Sequence, residues 1–174
     1  MKILTFGEIM LRLKTPEYLR IVQANGFEAS YGGAESNVAV SLSTLGDDAA
    51  FLTKLPDNPV GNAAFNELRR YGVDTSRILR GGPRLGIYYF EKGNDIRPTN
   101  VLYDRAGSAL AKASATEFDW EALLSGIDIF FFSGVTPAIS LSAEQAVFDA
   151  LKYCHAHGIT VICDLNYRAK MWSR

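Results

Sequence analysis

Four near-continuous apolar runs punctuate the chain: Lys2–Phe6, Ala49–Leu55, Ile127–Phe132 and Ile159–Leu165. Runs without alternation predict strands buried on both faces, as in a parallel sheet. Between them, apolar residues recur at helical spacing over Ala34–Leu45, Asn62–Tyr71 and Leu141–His157. Each of these segments stops at a glycine (Gly46, Gly72, Gly158), the residue best suited to the left-handed closing position of a helix. In the last, Ala146, Val147, Ala150, Leu151 and Cys154 make the apolar stripe, and Ser142-Ala143-Glu144-Gln145 reads as a capping box. Strand alternating with helix predicts an α/β fold with a doubly wound parallel sheet, spanning residues 1–174 as one unit.

Two stretches break that alternation. Leu11–Tyr31 has scattered apolar residues without a helical period, and Leu85–Arg105 reads as a hairpin joined through Lys92-Gly93-Asn94-Asp95. The expectation is that segments 11–31 and 85–105 form a small β-sheet standing off the main domain.

The most informative local pattern is Gly32-Gly33-Ala34-Glu35-Ser36-Asn37 leading into the first helix. Glycines let the backbone approach a bound molecule closely, and the helix start aims free N–H groups and a positive dipole end at it. Asn37 adds a donor and an acceptor in the first turn. The same residues also serve as a plain strand-to-helix turn. In an open α/β sheet, ligands bind beyond the carboxyl ends of the strands. Those ends carry Glu8, Asp57-Asn58, Ser133-Gly134 and Asp164-Leu165-Asn166-Tyr167-Arg168.

Composition narrows the function classes. With 174 residues, a net charge of −1 and 48% hydrophobic residues, the chain has no electrostatic footprint for nucleic acid. It carries no apolar segment long enough to span a bilayer and no secretory leader pattern, so a cytoplasmic protein is expected. Cys154 and Cys163 are expected to be core residues, and no metal-ligand spacing is present. His155 and His157 fall at a helix end, where they favour the dipole. Walker A, G-x-G-x-x-G and nucleophile-elbow patterns are missing from these residues. Arg105 and Arg168 are candidate forks for carboxylate or phosphate, or equally surface arginines paired with Asp104 and Asp164. Tyr88 and Tyr103 fit cross-strand packing partners.

The glycine motif, with Gly46 and Asp57-Asn58-Pro59-Val60-Gly61 behind it, resembles the N-terminal signature of the PfkB (ribokinase-like) carbohydrate kinases. Within that family the chain is most similar to 2-keto-3-deoxygluconate kinases. Gly7-Glu8, Gly86-Ile87-Tyr88, Tyr103-Asp104-Arg105, Ser133-Gly134-Val135-Thr136-Pro137-Ala138 and Asp164–Arg168 carry the similarity. The resemblance implies a doubly wound domain with a small β-sheet lid and ATP-dependent phosphorylation of a sugar acid at a primary hydroxyl, with Mg as co-factor. It implies that Gly33, Ala34, Glu35, Ser36, Asn37, Tyr88, Tyr103, Asp104, Arg105 and Arg168 hold the sugar acid. It places Asn166 and Arg168 towards the nucleotide, and the lid sheet where a homo-oligomer would form.

Family members continue well past Arg174. Their further half carries a Gly-Ala-Gly-Asp motif with the catalytic base and most of the ATP site, and neither stands in these residues. The expectation is therefore the N-terminal half of a kinase, with no catalytic residue of its own and no turnover alone. Two rivals remain at this point: a kinase of another sugar such as fructose, and a non-catalytic sugar-binding module.

Overall fold

In the computed structural model, which describes residues 1–169, 171 and 172, the strands and helices follow in a fixed order. The first half holds β1 (Lys2–Phe6), β2 (Met10–Lys14), β3 (Glu28–Gly32), α1 (Ala34–Leu45), β4 (Asp48–Leu52), β5 (Lys54–Leu55), α2 (Pro59–Arg70) and β6 (Leu79–Arg80). The second half holds β7 (Ile87–Glu91), β8 (Asn100–Asp104), α3 (Trp120–Leu124), β9 (Ile129–Ser133), α4 (Leu141–His157) and β10 (Thr160–Asp164).

The four apolar runs supply one parallel sheet in the order β10-β9-β1-β4. Alternating residues feed two separate cores. Leu4, Phe6, Ala50, Leu52, Phe130 and Phe132 face α3 and α4, where Phe6, Phe118, Trp120 and Phe130 make edge and stacked ring contacts at centroid distances of 5.3–6.0 Å. Phe51 faces the other side with Ile9, Ala39 of α1 and Ala64 and Leu68 of α2. A sheet with helices and a core on each face is doubly wound, as the alternation predicts.

The run Ala49–Leu55 is not one strand. It breaks at Thr53, and β5 leaves the sheet to pair in parallel with β6. The second helix starts three residues earlier than its apolar period suggests, because Asn58 caps it by accepting from Gly61 N–H at 2.9 Å and Pro59 fits the first turn. The cap of α4 is Ser140, which accepts from Ala143 N–H, and Ser142 instead donates to the Ala113 carbonyl at 2.6 Å. Helices α1 and α4 end at Gly46 and Gly158, both at positive φ. The short α3 has no counterpart among the three helices that the apolar spacing predicts. Cys154 is fully buried, and burial pushes its thiol up to about 11; Cys163 lies exposed on β10, contrary to its expected place in the core.

The two irregular stretches do form a second sheet, ordered β3-β2-β7-β8. It consists of two antiparallel hairpins, β2–β3 and β7–β8, joined by a parallel β2–β7 seam. Most of its residues are half-buried or exposed.

Candidate functional site

Where the lid sheet meets the carboxyl ends of the core strands there is a cavity of about 510 Å³. Gly32, Gly33 and Ala34 line its floor, Tyr88, Val101, Leu102 and Tyr103 its lid side, and Val135, Asn166, Arg168, Ala169 and Met171 the side of β9 and β10; Met10 and Arg105 complete it. This is the position expected for a ligand in an open α/β sheet.

The floor is the start of α1. Gly33 is its N-cap and no side chain caps the helix. A Cβ at Gly33 would collide with the Glu8 carbonyl, so the close approach of strand end and helix start requires glycine there. The uncapped first turn presents backbone N–H groups and a positive dipole end beside the cavity.

On the lid side, Tyr88 and Tyr103 stand directly opposite each other in the β7–β8 register, with ring centroids 5.8 Å apart. They are cross-strand partners and cavity walls at once. Burial pushes the Tyr88 phenol up, with Arg12 working against that shift. Arg105 follows β8 and is paired with neither Asp104 nor a surface group. Its Nη2 donates to the buried Glu8 carboxylate, its Nη1 faces the Met171 sulfur at 3.7 Å, and its buried Nε has no partner among the described residues. Arg105 thus lines the cavity while held by Glu8, and charge-assisted bonding to a carboxylate is the chemistry such a guanidinium favours.

Of the residues expected to hold a ligand, Gly33, Ala34, Tyr88, Tyr103, Arg105, Asn166 and Arg168 line this cavity together. Glu35, Ser36, Asn37 and Asp104 do not. Glu35 turns into the core: its Oε1 accepts from Ser133 N–H (3.0 Å), Ser133 Oγ (2.6 Å) and Thr136 Oγ1 (2.7 Å). Burial raises its carboxyl above the usual range, with the Ser133 and Thr136 hydrogen bonds opposing. Ser36 is also buried, its hydroxyl donating to the Gly33 carbonyl. Asn37 is exposed beside Gly32, at the edge of the floor. Asp104 is clamped bidentately by Arg84 at 2.8 and 3.0 Å, and that pairing holds its carboxyl below the ordinary range. Among residues the motifs did not single out, Met10, Leu102 and Met171 reach the wall; nothing in their sequence context distinguishes them from packing residues.

Arg168 makes no ion pair among the described residues, and Asn166, at φ 37°, lies next to it on the cavity. An amide and a guanidinium there suit phosphate oxygens. Among the described residues no group of three His, Cys, Asp or Glu side chains converges as a metal site.

The whole chain, residues 1–174, matches the pfkB family of carbohydrate kinases, and it belongs to that family. It is 43% identical to a 2-dehydro-3-deoxygalactonokinase of Haloferax volcanii over 99% of its own length and 54% of the relative's. Its structure is similar to a solved 2-dehydro-3-deoxygluconokinase of Thermotoga maritima, with a TM-score of 0.97, 52% identity and coverage of 99% of this chain and 53% of that one. A sugar kinase of Pyrococcus horikoshii solved in complex with ATP aligns at a TM-score of 0.86 and 25% identity, over 98% of this chain and 55% of that one. The chain spans about half the length of the relatives it matches.

Proposed function

We propose that the protein is the acceptor-binding portion of a sugar-acid kinase that phosphorylates a 2-keto-3-deoxy sugar acid such as 2-keto-3-deoxygluconate at its primary hydroxyl. The observation that carries this reading is Arg105: a largely buried guanidinium, fixed by Glu8, that lines a cavity large enough for a hexose-sized acid. A neutral sugar gives that fork no carboxylate to bind. The names of the Haloferax and Thermotoga relatives point to the same substrate class.

In this reading Arg105 takes the ligand carboxylate, and the α1 start with Tyr88 and Tyr103 supplies donors and ring faces to the hydroxyls. Asn166 and Arg168 face the phosphates. When bound, ATP supplies the γ-phosphoryl group; the residues of this chain orient the acceptor and hold charge near it, which is most of what phosphoryl transfer asks of a protein. Mg belongs to the same proposal, and the described residues offer it no carboxylate cluster. The lid sheet is where we place contact with a second copy. A cytoplasmic location goes with a soluble metabolite as substrate; no described helix is long and apolar enough to cross a membrane.

Calorimetric titration with 2-keto-3-deoxygluconate and with fructose tests the reading. The acid is expected to bind and Arg105→Ala to weaken it at least about tenfold, since a charge-assisted hydrogen bond contributes roughly 1.5–3 kcal/mol. Fructose binding is expected to be weak and nearly unaffected. Equal losses for both ligands would assign Arg105 a structural role, and preference for fructose would favour a kinase of neutral sugars.

A further inference from the structure

The chain passes between core and lid four times. It leaves the core after β1 through Gly7-Glu8-Ile9 to β2 and returns from β3 through Gly32-Gly33 to α1. It leaves again through Leu85-Gly86 to β7 and returns after β8 at Arg105. All four crossings meet at one residue. Glu8 lies in the first, and its backbone carbonyl packs against Gly33 in the second. Its Oε1 lies so near Gly86 in the third that a Cβ there would stand 3.1 Å from it and 3.4 Å from Arg105 Cβ. Its carboxylate accepts from Arg105 in the fourth, and from Ser108 Oγ just beyond. The Glu8 side chain is 4% exposed and that of Arg105 15%.

We infer that Glu8 is a positioning residue: it pins the lid to the core and, through the same carboxylate, holds the Arg105 guanidinium at the cavity wall. A lone cationic side chain at a strand end samples many rotamers, whereas one held by a buried carboxylate presents its remaining donors in a fixed fork. The two functions are inseparable here, because the group that anchors the returning lid strand is the group that meets the ligand. The second half of the inference rests on the sugar-acid reading; the first does not.

Two measurements on the intact protein test it, and their outcomes separate. Hydrogen exchange reads the pin without any ligand. In Glu8→Gln, amides of β7 and β8 are expected to exchange at least about tenfold faster while those of β4 stay unchanged, since a local opening is affected and not the global one. Ser108→Ala removes one donor to Glu8 and leaves Arg105 in place. It is expected to give a smaller acceleration of the same amides, and it serves as the readout if Glu8→Gln fails to fold. Unchanged lid exchange in both variants overturns the inference. Titration with 2-keto-3-deoxygluconate reads the positioning. Glu8→Gln is expected to weaken binding about tenfold in the wild-type background and to add nothing in the Arg105→Ala background, the non-additivity that coupled residues show. An equal loss in both backgrounds overturns the positioning role. Faster lid exchange in a protein that does not prefer the acid over fructose leaves the pin standing and refutes the sugar-acid reading alone.

Discussion

Strands β1 and β7 are both five residues long and both sit in the interior of a four-stranded sheet, yet Leu4, Thr5 and Phe6 of β1 are 0% exposed while every residue of β7 is only half-buried. The difference lies in what covers the faces. β1 has a helix layer on each side, whereas the lid sheet has a cavity on one side and solvent over much of the other. Core strands therefore draw their stability from burial, and lid strands from their backbone ladders and a few pins such as Glu8–Arg105. Elements with few buried apolar contacts occupy the low-stability end of a structure, which is where moving parts belong.

The sharpest way to break the comparison is a pair of truncations. Phe130→Ala, in the aromatic cluster over β9, is expected to cost about 3–5 kcal/mol. Leu102→Ala, 56% exposed on β8, is expected to stay within about 0.5 kcal/mol. Urea unfolding of both variants decides it, and similar costs would mean that the lid is as integral to stability as the core.

Strand β10 sharpens the contrast from within the core sheet. It is an edge strand, with Val161 39% and Ile162 47% exposed. Ile162→Ala is therefore expected to cost clearly less than Phe130→Ala in urea unfolding, and an equal cost would contradict the contrast.

A pH dependence is expected from Glu35. Its folded carboxyl lies above the ordinary 4.5 because burial disfavours the charge. Below that value both states hold the proton. As pH rises past it the unfolded chain ionises first, so the folded state loses stability until its own carboxyl has ionised, and the loss persists at higher pH. Glu35→Gln keeps an acceptor for Ser133 and Thr136 and does not titrate. Its stability curve is expected to run parallel to the original below about pH 4 and to pull above it as pH rises. Urea midpoints across that range that stay parallel throughout would show that Glu35 does not titrate differently on folding.

Both sheets were legible in the sequence for different reasons. Continuous apolar runs marked the core strands, and failure of that pattern marked the lid. The sequence was silent on the break at Thr53, because a strand that changes partner keeps its apolar character. It was silent too on the direction of Glu35. A glutamate in a ligand-facing motif reads as a ligand-facing side chain, and it is Ser133 and Thr136, distant in sequence, that hold it inward. The pairing of Asp104 was hidden in the same way, since its partner Arg84 lies outside the motif. Arg105 was readable as a fork but not as a held one, since Glu8 is nearly a hundred residues away.

The position of β1 between β4 and β9 has a consequence for how the chain comes to be folded. Phe6 pairs with Leu52 on one side and with Phe132 on the other. During synthesis at about 5–20 residues per second, roughly 4–16 s separate the emergence of these two partners. For that interval one edge of the central strand has no native neighbour, and Leu4 and Phe6 lack the aromatic partners Phe118, Trp120 and Phe130. Long-range pairing of this kind also slows folding in general. The nascent chain thus passes through a window in which the strand that ends up between two neighbours has only one of them.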